Sequence, residues 1–137
     1  MILTSARDGF AILGWRRAVI AHGIAWIAPA ALGGLGQALL WAFGTQTWGD
    51  GWLGLWALSA LLMLSPAFTW FGLVLAAPLT AILMDRGWFG WLPASALGAA
   101  VGATLGLVID TPLALPFGTG LAILLRATLA RIAPEAF

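Results

Sequence analysis

Charged residues are scarce in this sequence. Only 8% of its 137 residues are charged and 62% are hydrophobic, whereas soluble domains carry about 25% charged residues. This composition argues against a water-soluble fold and predicts a membrane protein. The net charge of +1 gives no basis for binding nucleic acid or another polyanion.

Cysteine, lysine, tyrosine and asparagine are absent, and His22 is the only histidine. Without cysteine there is no disulfide, thiolate metal ligand or thiol nucleophile. One histidine cannot supply the three or four ligands of a metal site, and no nucleotide-binding loop or nucleophile elbow is present. We therefore expect neither catalysis nor a resident cofactor. The use of arginine as the only basic side chain, with abundant alanine and glycine, indicates a GC-rich bacterial genome.

Long apolar runs fill most of the chain. A membrane span needs about 20 apolar residues to cross roughly 30 Å of hydrocarbon. The run from Trp52 to Met84 is too long for one perpendicular span and too short for two, so Ser65-Pro66 is predicted to break it. Segment 52–64 is then an interfacial helix or a kinked lead. The chain is predicted to be a single domain, residues 1–137, folded as an all-α integral membrane four-helix bundle with spans near 18–43, 60–84, 88–109 and 113–131.

Proline and turn residues give local expectations within this bundle. Pro29 is predicted to bend the first span. Asp110 or Thr111 is predicted to cap the last helix, with Pro112 in its first turn.

The arginines predict the orientation. Four spans place both termini on one side of the membrane. All six basic residues lie on that side, and the other side carries only Asp50 and Asp110. By the positive-inside rule the N- and C-termini are cytoplasmic. The chain is therefore expected to be a multi-pass protein of the bacterial inner membrane, with membrane lipid around it.

Rows of small residues predict where helices pack. One row has a spacing of four, which places its members on one helix face, and such faces allow close helix packing in lipid. It comprises Ala94, Gly98, Gly102 and Gly106. Small residues recur at Ala30, Gly34 and Ala38 and at Gly118 and Ala122. A bundle this small cannot turn every row inward, so at least one is predicted to face outward as a docking surface.

Three polar side chains within the predicted spans are candidate functional groups: His22, Gln37 and Arg126. His22 is expected to hydrogen-bond near the inner headgroups or to a neighbouring helix. Gln37 and Arg126 are candidates for an interhelical hydrogen bond or a polar path. Arg126 is expected to snorkel to the cytoplasmic face, the alternative being a buried ion pair with Asp85.

The residues from Ala18 to Trp26, with His22 at their centre, resemble the Ala-xxx-His-xxx-Trp pattern of bacterial light-harvesting polypeptides. In those polypeptides the histidine ligates bacteriochlorophyll. The resemblance covers nine of 137 residues and implies that His22 contacts a pigment. The light-harvesting polypeptides have a single span with a more deeply placed histidine.

These features predict a non-catalytic subunit or accessory factor that packs against a larger membrane complex. One alternative is a small transporter or channel that works as a homo-oligomer, with His22 and Gln37 facing the path. Another is a subunit of a photosynthetic or respiratory electron-transfer complex that contacts bacteriochlorophyll or quinone. The partner is accordingly another integral membrane protein or a copy of the chain itself.

Overall fold

The computed structural model describes residues 3–43, 51–108 and 110–137, which are mostly helical and contain no strand. Four of the helices in this part are long and apolar enough to cross a membrane: α1, α3, α4 and α5. The prediction of an all-helical, multi-pass membrane protein is thereby confirmed. In chain order the helices are α1 (Gly9–Phe43), α2 (Trp52–Leu64), α3 (Pro66–Asp85), α4 (Trp91–Val108) and α5 (Ala114–Ile132), followed by a 3₁₀ turn (Pro134–Ala136).

Helix α1 begins earlier than the predicted span. It is interrupted at Gly14, whose φ of +73° lies in the left-handed region that glycine adopts without steric cost. Gly14 separates a short lead, residues 9–13, from the long remainder of the helix. The dihedral angles at Pro29 are helical, so Gly14 is the point within α1 at which the helical geometry is interrupted.

Helices α2 and α3 meet at the Ser65-Pro66 junction, the position of the predicted break. Ser65 keeps α-helical dihedral angles, and its N–H donates to the carbonyl oxygen of Leu62 at 3.1 Å. Pro66 has no N–H to offer that carbonyl, so Ser65 takes its place with a tighter turn. The Ser65 carbonyl in turn accepts hydrogen bonds from the backbone N–H and the hydroxyl of Thr69, at 2.9 and 2.8 Å.

The chain divides into two compact units, residues 1–25 with 71–137 and residues 26–70. In the second unit, α2 lies antiparallel to the C-terminal part of α1. A Cβ added at Gly33 would lie 2.5 Å from the Ser59 carbonyl oxygen. Gln37 Nε2 donates to the Trp56 carbonyl at 2.8 Å, and Trp26 Nε1 donates to the Pro66 carbonyl at 3.1 Å. Segment 52–64 is therefore a helix packed lengthwise along α1.

In the first unit, α4 packs on α5 through glycine. A Cβ added at Gly118 would lie 2.5 Å from the Gly98 carbonyl oxygen and 2.9 Å from Gly102 Cα. A Cβ at Gly106 would lie 2.8 Å from the Thr111 carbonyl oxygen, and Ala94, the first member of the row, is fully buried. The predicted small-residue row thus lies against α5, where backbone meets backbone.

The other two rows of small residues differ in whether a helix packs on them. Gly118 and Ala122, which the sequence left as a candidate outward row, lie against Gly98 of α4. This row is therefore covered by α4 within the first unit. By contrast, a Cβ at Gly34 of α1 would meet nothing within 4 Å, so the row that contains Gly34 remains open.

Two left-handed residues end helices α3 and α4. Gly87 has φ +72°, and the bonds from Gly87 N to Met84 O and from Trp88 N to Leu83 O form the paired pattern that closes a helix C-terminus. Asp110 has φ +51°, and Thr111 N donates to Gly106 O. The prediction that Asp110 or Thr111 caps α5 is wrong. Asp110 terminates α4, and α5 begins after Leu113 without a side-chain cap.

The α4–α5 contact predicts a matched pair of glycine variants on one helix. Gly118→Ala forces α5 away from α4, and overpacking of this kind costs about 1–3 kcal/mol. Gly120→Ala, two residues away, enters open space and should leave stability unchanged or raise it slightly, because alanine favours helix over glycine. Thermal unfolding in mild detergent compares the two. Equal midpoints for both variants would contradict the backbone contact.

Candidate functional site

Three distant parts of the chain meet at one end of the first unit. They are the N-terminal segment 3–8, the α3–α4 turn 86–90 and the C-terminal segment 133–137, which together we call the end cap. Ser5 N donates to Gly87 O at 2.8 Å, Ala6 N to Ala136 O at 3.0 Å, and Phe89 N to Ser5 Oγ at 3.2 Å. These bonds satisfy backbone groups that a buried loop would otherwise leave unpaired.

An ion pair links the end cap to α1. Arg17 Nη1 lies 2.7 Å from Glu135 Oε1, and both side chains are about half exposed. A hydrogen bond from its own backbone N–H is the main reason why the pKa of the Glu135 carboxyl is below its ordinary value. Desolvation raises the pKa, while the hydrogen bond and charge of Arg17 lower it further. Exposed pairs of this kind contribute little to stability, so this pair holds the C-terminal segment against α1 only weakly.

Beneath the end cap lies Arg126 of α5, whose side chain is only 2% exposed. Its Nε donates to the Phe89 carbonyl oxygen at 2.9 Å. The guanidinium carbon lies 3.8 Å from the ring centroid of Phe137 and 5.0 Å from that of Trp91. A cation above an aromatic face is stabilised by about 2 kcal/mol when it is desolvated. The charge is therefore held by one carbonyl dipole and two aromatic rings.

Both expectations for Arg126 at the cytoplasmic end are wrong. The side chain does not reach solvent, and within the described residues it forms no ion pair with Asp85 or another carboxylate. It instead makes a hydrogen bond to the turn between α3 and α4, so of the proposed roles the one seen is a bond between structural elements. The Phe89 carbonyl and the Phe137 ring contact the guanidinium in place of the water that the sequence analysis expected.

One terminal nitrogen of this guanidinium is unsatisfied. Arg126 Nη1 is enclosed by protein and has no hydrogen-bond partner among the described residues. Unpaired buried donors are rare, and those attached to a charged group are costly. This nitrogen is the most unusual polar feature of the end cap.

His22 is engaged within its own helix. Its Nδ1 lies 2.8 Å from the Ala18 carbonyl oxygen, so Nδ1 carries the proton and Nε2 is the acceptor. Nε2 is enclosed by protein without a partner. Ala18, the first residue of the Ala-xxx-His-xxx-Trp pattern, thus supplies the acceptor for the histidine, and Trp26, the last, donates to Pro66 as described above. An external ligand could reach Nε2 only after side chains around it move.

Gln37 belongs to the second unit. Its amide group joins α1 to α2 through the bond to Trp56 O, which is the interhelical role that the sequence offered as one alternative. No group of three or more His, Asp or Glu side chains in the described part of the chain is placed to hold a metal ion. Of the three polar candidates, only Arg126 lies in a cluster of functional side chains.

The residues that sequence reasoning missed are Phe89, Phe137 and Ser5. Each belongs to a different segment, and none carries a motif. A partial signal exists: the C-terminus was predicted to lie on the side of the membrane to which Arg126 was expected to snorkel. A buried cation at that depth needs aromatic or carbonyl partners, so the aromatic residues near it were the natural candidates.

The depressed pKa of Glu135 predicts a pH dependence. Because the pKa is lower in the folded than in the unfolded state, the carboxylate stabilises the fold above its ordinary pKa of about 4.3. That contribution is lost as the pH falls through the folded-state pKa. The thermal midpoint of Glu135→Gln in detergent should lie below that of the wild type at neutral pH and converge with it in acid. A gap that stays constant across this range would show that Glu135 does not stabilise the cap as an anion.

The chain stands apart from known proteins in every comparison. No family model matches it, and neither a curated protein nor a solved structure is significantly similar to it. The contacts of α1, the end cap and Arg126 are therefore the basis for assigning a function.

Proposed function

We propose that this protein is a non-catalytic accessory subunit that binds another integral membrane protein through α1. The observation that carries the proposal is the open small-residue row of α1, defined as Ala30, Gly34 and Ala38. Gly34 has free space where a side chain would project, and Ala38 is exposed. Lipid chains are as apolar as leucine, so such a row gains stability only when another helix packs on it.

The α4–α5 pair supports this use of small residues. There the same type of row brings two backbones into contact, with Gly98 and Gly102 against Gly118. Gly33, one residue before Gly34, is likewise closed by α2. The row of Ala30, Gly34 and Ala38 has no such covering helix at Gly34 within the described residues, and it is the surface that we assign to a partner.

The polar side chains favour an accessory role over transport. A homo-oligomeric transporter or channel needs polar groups that line a path. Gln37 is committed to Trp56 O, and the free nitrogen of His22 is enclosed. A pigment- or quinone-contacting subunit is the second candidate, and the Nε2 acceptor of His22 is the one observation in its favour.

We place the end cap in the cytoplasm of a bacterium and the protein in the inner membrane. The end cap and the adjoining turns of α1 carry Arg7, Arg16, Arg17 and Arg86, whereas the α4–α5 turn carries Asp110. The positive-inside rule then orients both termini inward. Four of the described helices, α1, α3, α4 and α5, are long and apolar enough to cross a membrane, and four crossings bring both termini to one side.

The topology is tested with single cysteines, for which the chain has no background because native cysteine is absent. Thr4→Cys and Trp88→Cys lie at the end cap, and Pro112→Cys lies in the α4–α5 turn; all three positions are exposed. In intact spheroplasts a membrane-impermeant thiol reagent should label Pro112→Cys and spare the other two until the membrane is opened. Labelling of Trp88→Cys from outside would overturn the orientation.

The partner is tested by native mass spectrometry of membranes solubilised at native expression. We expect a stoichiometric complex with a different membrane protein. Gly34→Leu should abolish the complex because the side chain fills the space into which a partner helix packs. Gly120→Leu, which also enters open space but on α5, should retain it. A lone monomer would exclude the proposal, a self-oligomer would favour the transporter, and a co-purifying chromophore lost in His22→Leu would favour the pigment subunit.

A further inference from the structure

The guanidinium of Arg126 has more donors than acceptors around it. A guanidinium carries five N–H donors in a planar fork, and the contacts of Arg126 comprise one carbonyl oxygen and two ring faces. No carboxylate among the described residues neutralises it. A cation in an apolar helix needs a counter-charge. The described part of the surrounding chain supplies no anion and leaves Nη1 without a partner, so an anion from outside the chain would complete the bonding of the guanidinium.

We propose that Arg126 is a binding site for a phosphate-bearing anion and that the C-terminal segment 133–137 closes the site in this conformation. The planar fork of arginine matches the oxygens of a phosphate, with which it forms two parallel charge-assisted hydrogen bonds. Nη1, which has no partner here, is the nitrogen that such an oxygen would meet.

The aromatic residues near the site indicate the depth at which the anion binds. Trp88 and Trp91 are 62% and 40% exposed, and tryptophan is enriched where the membrane meets water. Trp91 is also one of the two rings above the guanidinium. The site therefore lies at the level of lipid phosphates, and the phosphate belongs to an anionic lipid or to the aqueous phase beside it.

The C-terminal segment is the part that can open. Phe137 covers the guanidinium, and the segment that carries it is held by the Ala6–Ala136 backbone bond and the exposed Arg17–Glu135 pair. Trp91, by contrast, belongs to a helix that is fixed by its glycine contact with α5. On binding, the aromatic contact of Phe137 is exchanged for hydrogen bonds to phosphate, and Ala136, fully buried here, becomes accessible.

Cap opening is measured with Ala136→Cys in lipid nanodiscs. Its labelling by N-ethylmaleimide is divided by that of Leu3→Cys, an exposed position at the same end, so that the surface charge of the lipid cancels. We expect severalfold faster relative labelling in phosphatidylglycerol than in phosphatidylcholine. Adding Arg126→Met should remove this dependence on lipid. Equal relative rates in the two lipids with and without inorganic phosphate, or a dependence that persists in Arg126→Met, would overturn the proposal.

The source of the phosphate is distinguished in the same experiment. Faster labelling on adding inorganic phosphate to phosphatidylcholine discs indicates a soluble ligand, and faster labelling only with phosphatidylglycerol indicates a lipid. A second measurement needs no cysteine and uses phosphatidylglycerol or inorganic phosphate, whichever opens the cap. This ligand should raise the thermal midpoint of the wild type and of Arg131→Gln, an exposed control. It should not raise the midpoint of Arg126→Met. Equal stabilisation of all three would also overturn the site.

Discussion

The close approach of α4 and α5 is the constraint on which the first unit depends. Because Gly98, Gly102 and Gly118 carry no side chain at the contact, the two backbones meet directly. This contact determines where the start of α4 and the end of α5 lie relative to each other. It thereby brings Phe89 and Trp91, just before and at the start of α4, to Arg126 and Phe137, at the end of α5 and just after it. A larger residue in the row would separate the donor from its carbonyl as well as the helices from each other.

The end cap shows how a charge can be kept within an apolar helix without a carboxylate. The Phe89 carbonyl accepts a hydrogen bond from Nε–H, and two aromatic rings stabilise the charge of the guanidinium. Burying the guanidinium in this way costs less free energy than burying an unpaired cation, but it leaves Nη1 without a hydrogen bond to the described residues. It also makes the position of the C-terminal segment depend on a buried residue of α5, through the contact of Phe137 with Arg126.

The features that the sequence predicts well are those with a local, periodic signal. Apolar runs predict the helices because their length must match the membrane, and Ser65-Pro66 marks a junction because proline lacks an N–H. The environment of Arg126 had no such signal, since it is assembled from segments that begin at residues 3, 86 and 133. Asp110 was misassigned for a related reason. Aspartate is favoured at a helix N-cap, and only its positive φ reveals that it ends the preceding helix.

The bond between Ala6 and Ala136 has a consequence for biosynthesis. Ala6 precedes α1 and Ala136 follows α5, so all five helices must be synthesised before this bond can form. The α1–α2 hairpin, whose contacts lie within residues 26–66, can pair much earlier, since local contacts have a small loop-closure cost. Until α5 is inserted, Ser5, Ala6 and the α3–α4 turn lack part of their partners. Closure of the end cap therefore follows the insertion of α1 to α5, and it marks a chain in which these five helices are in place.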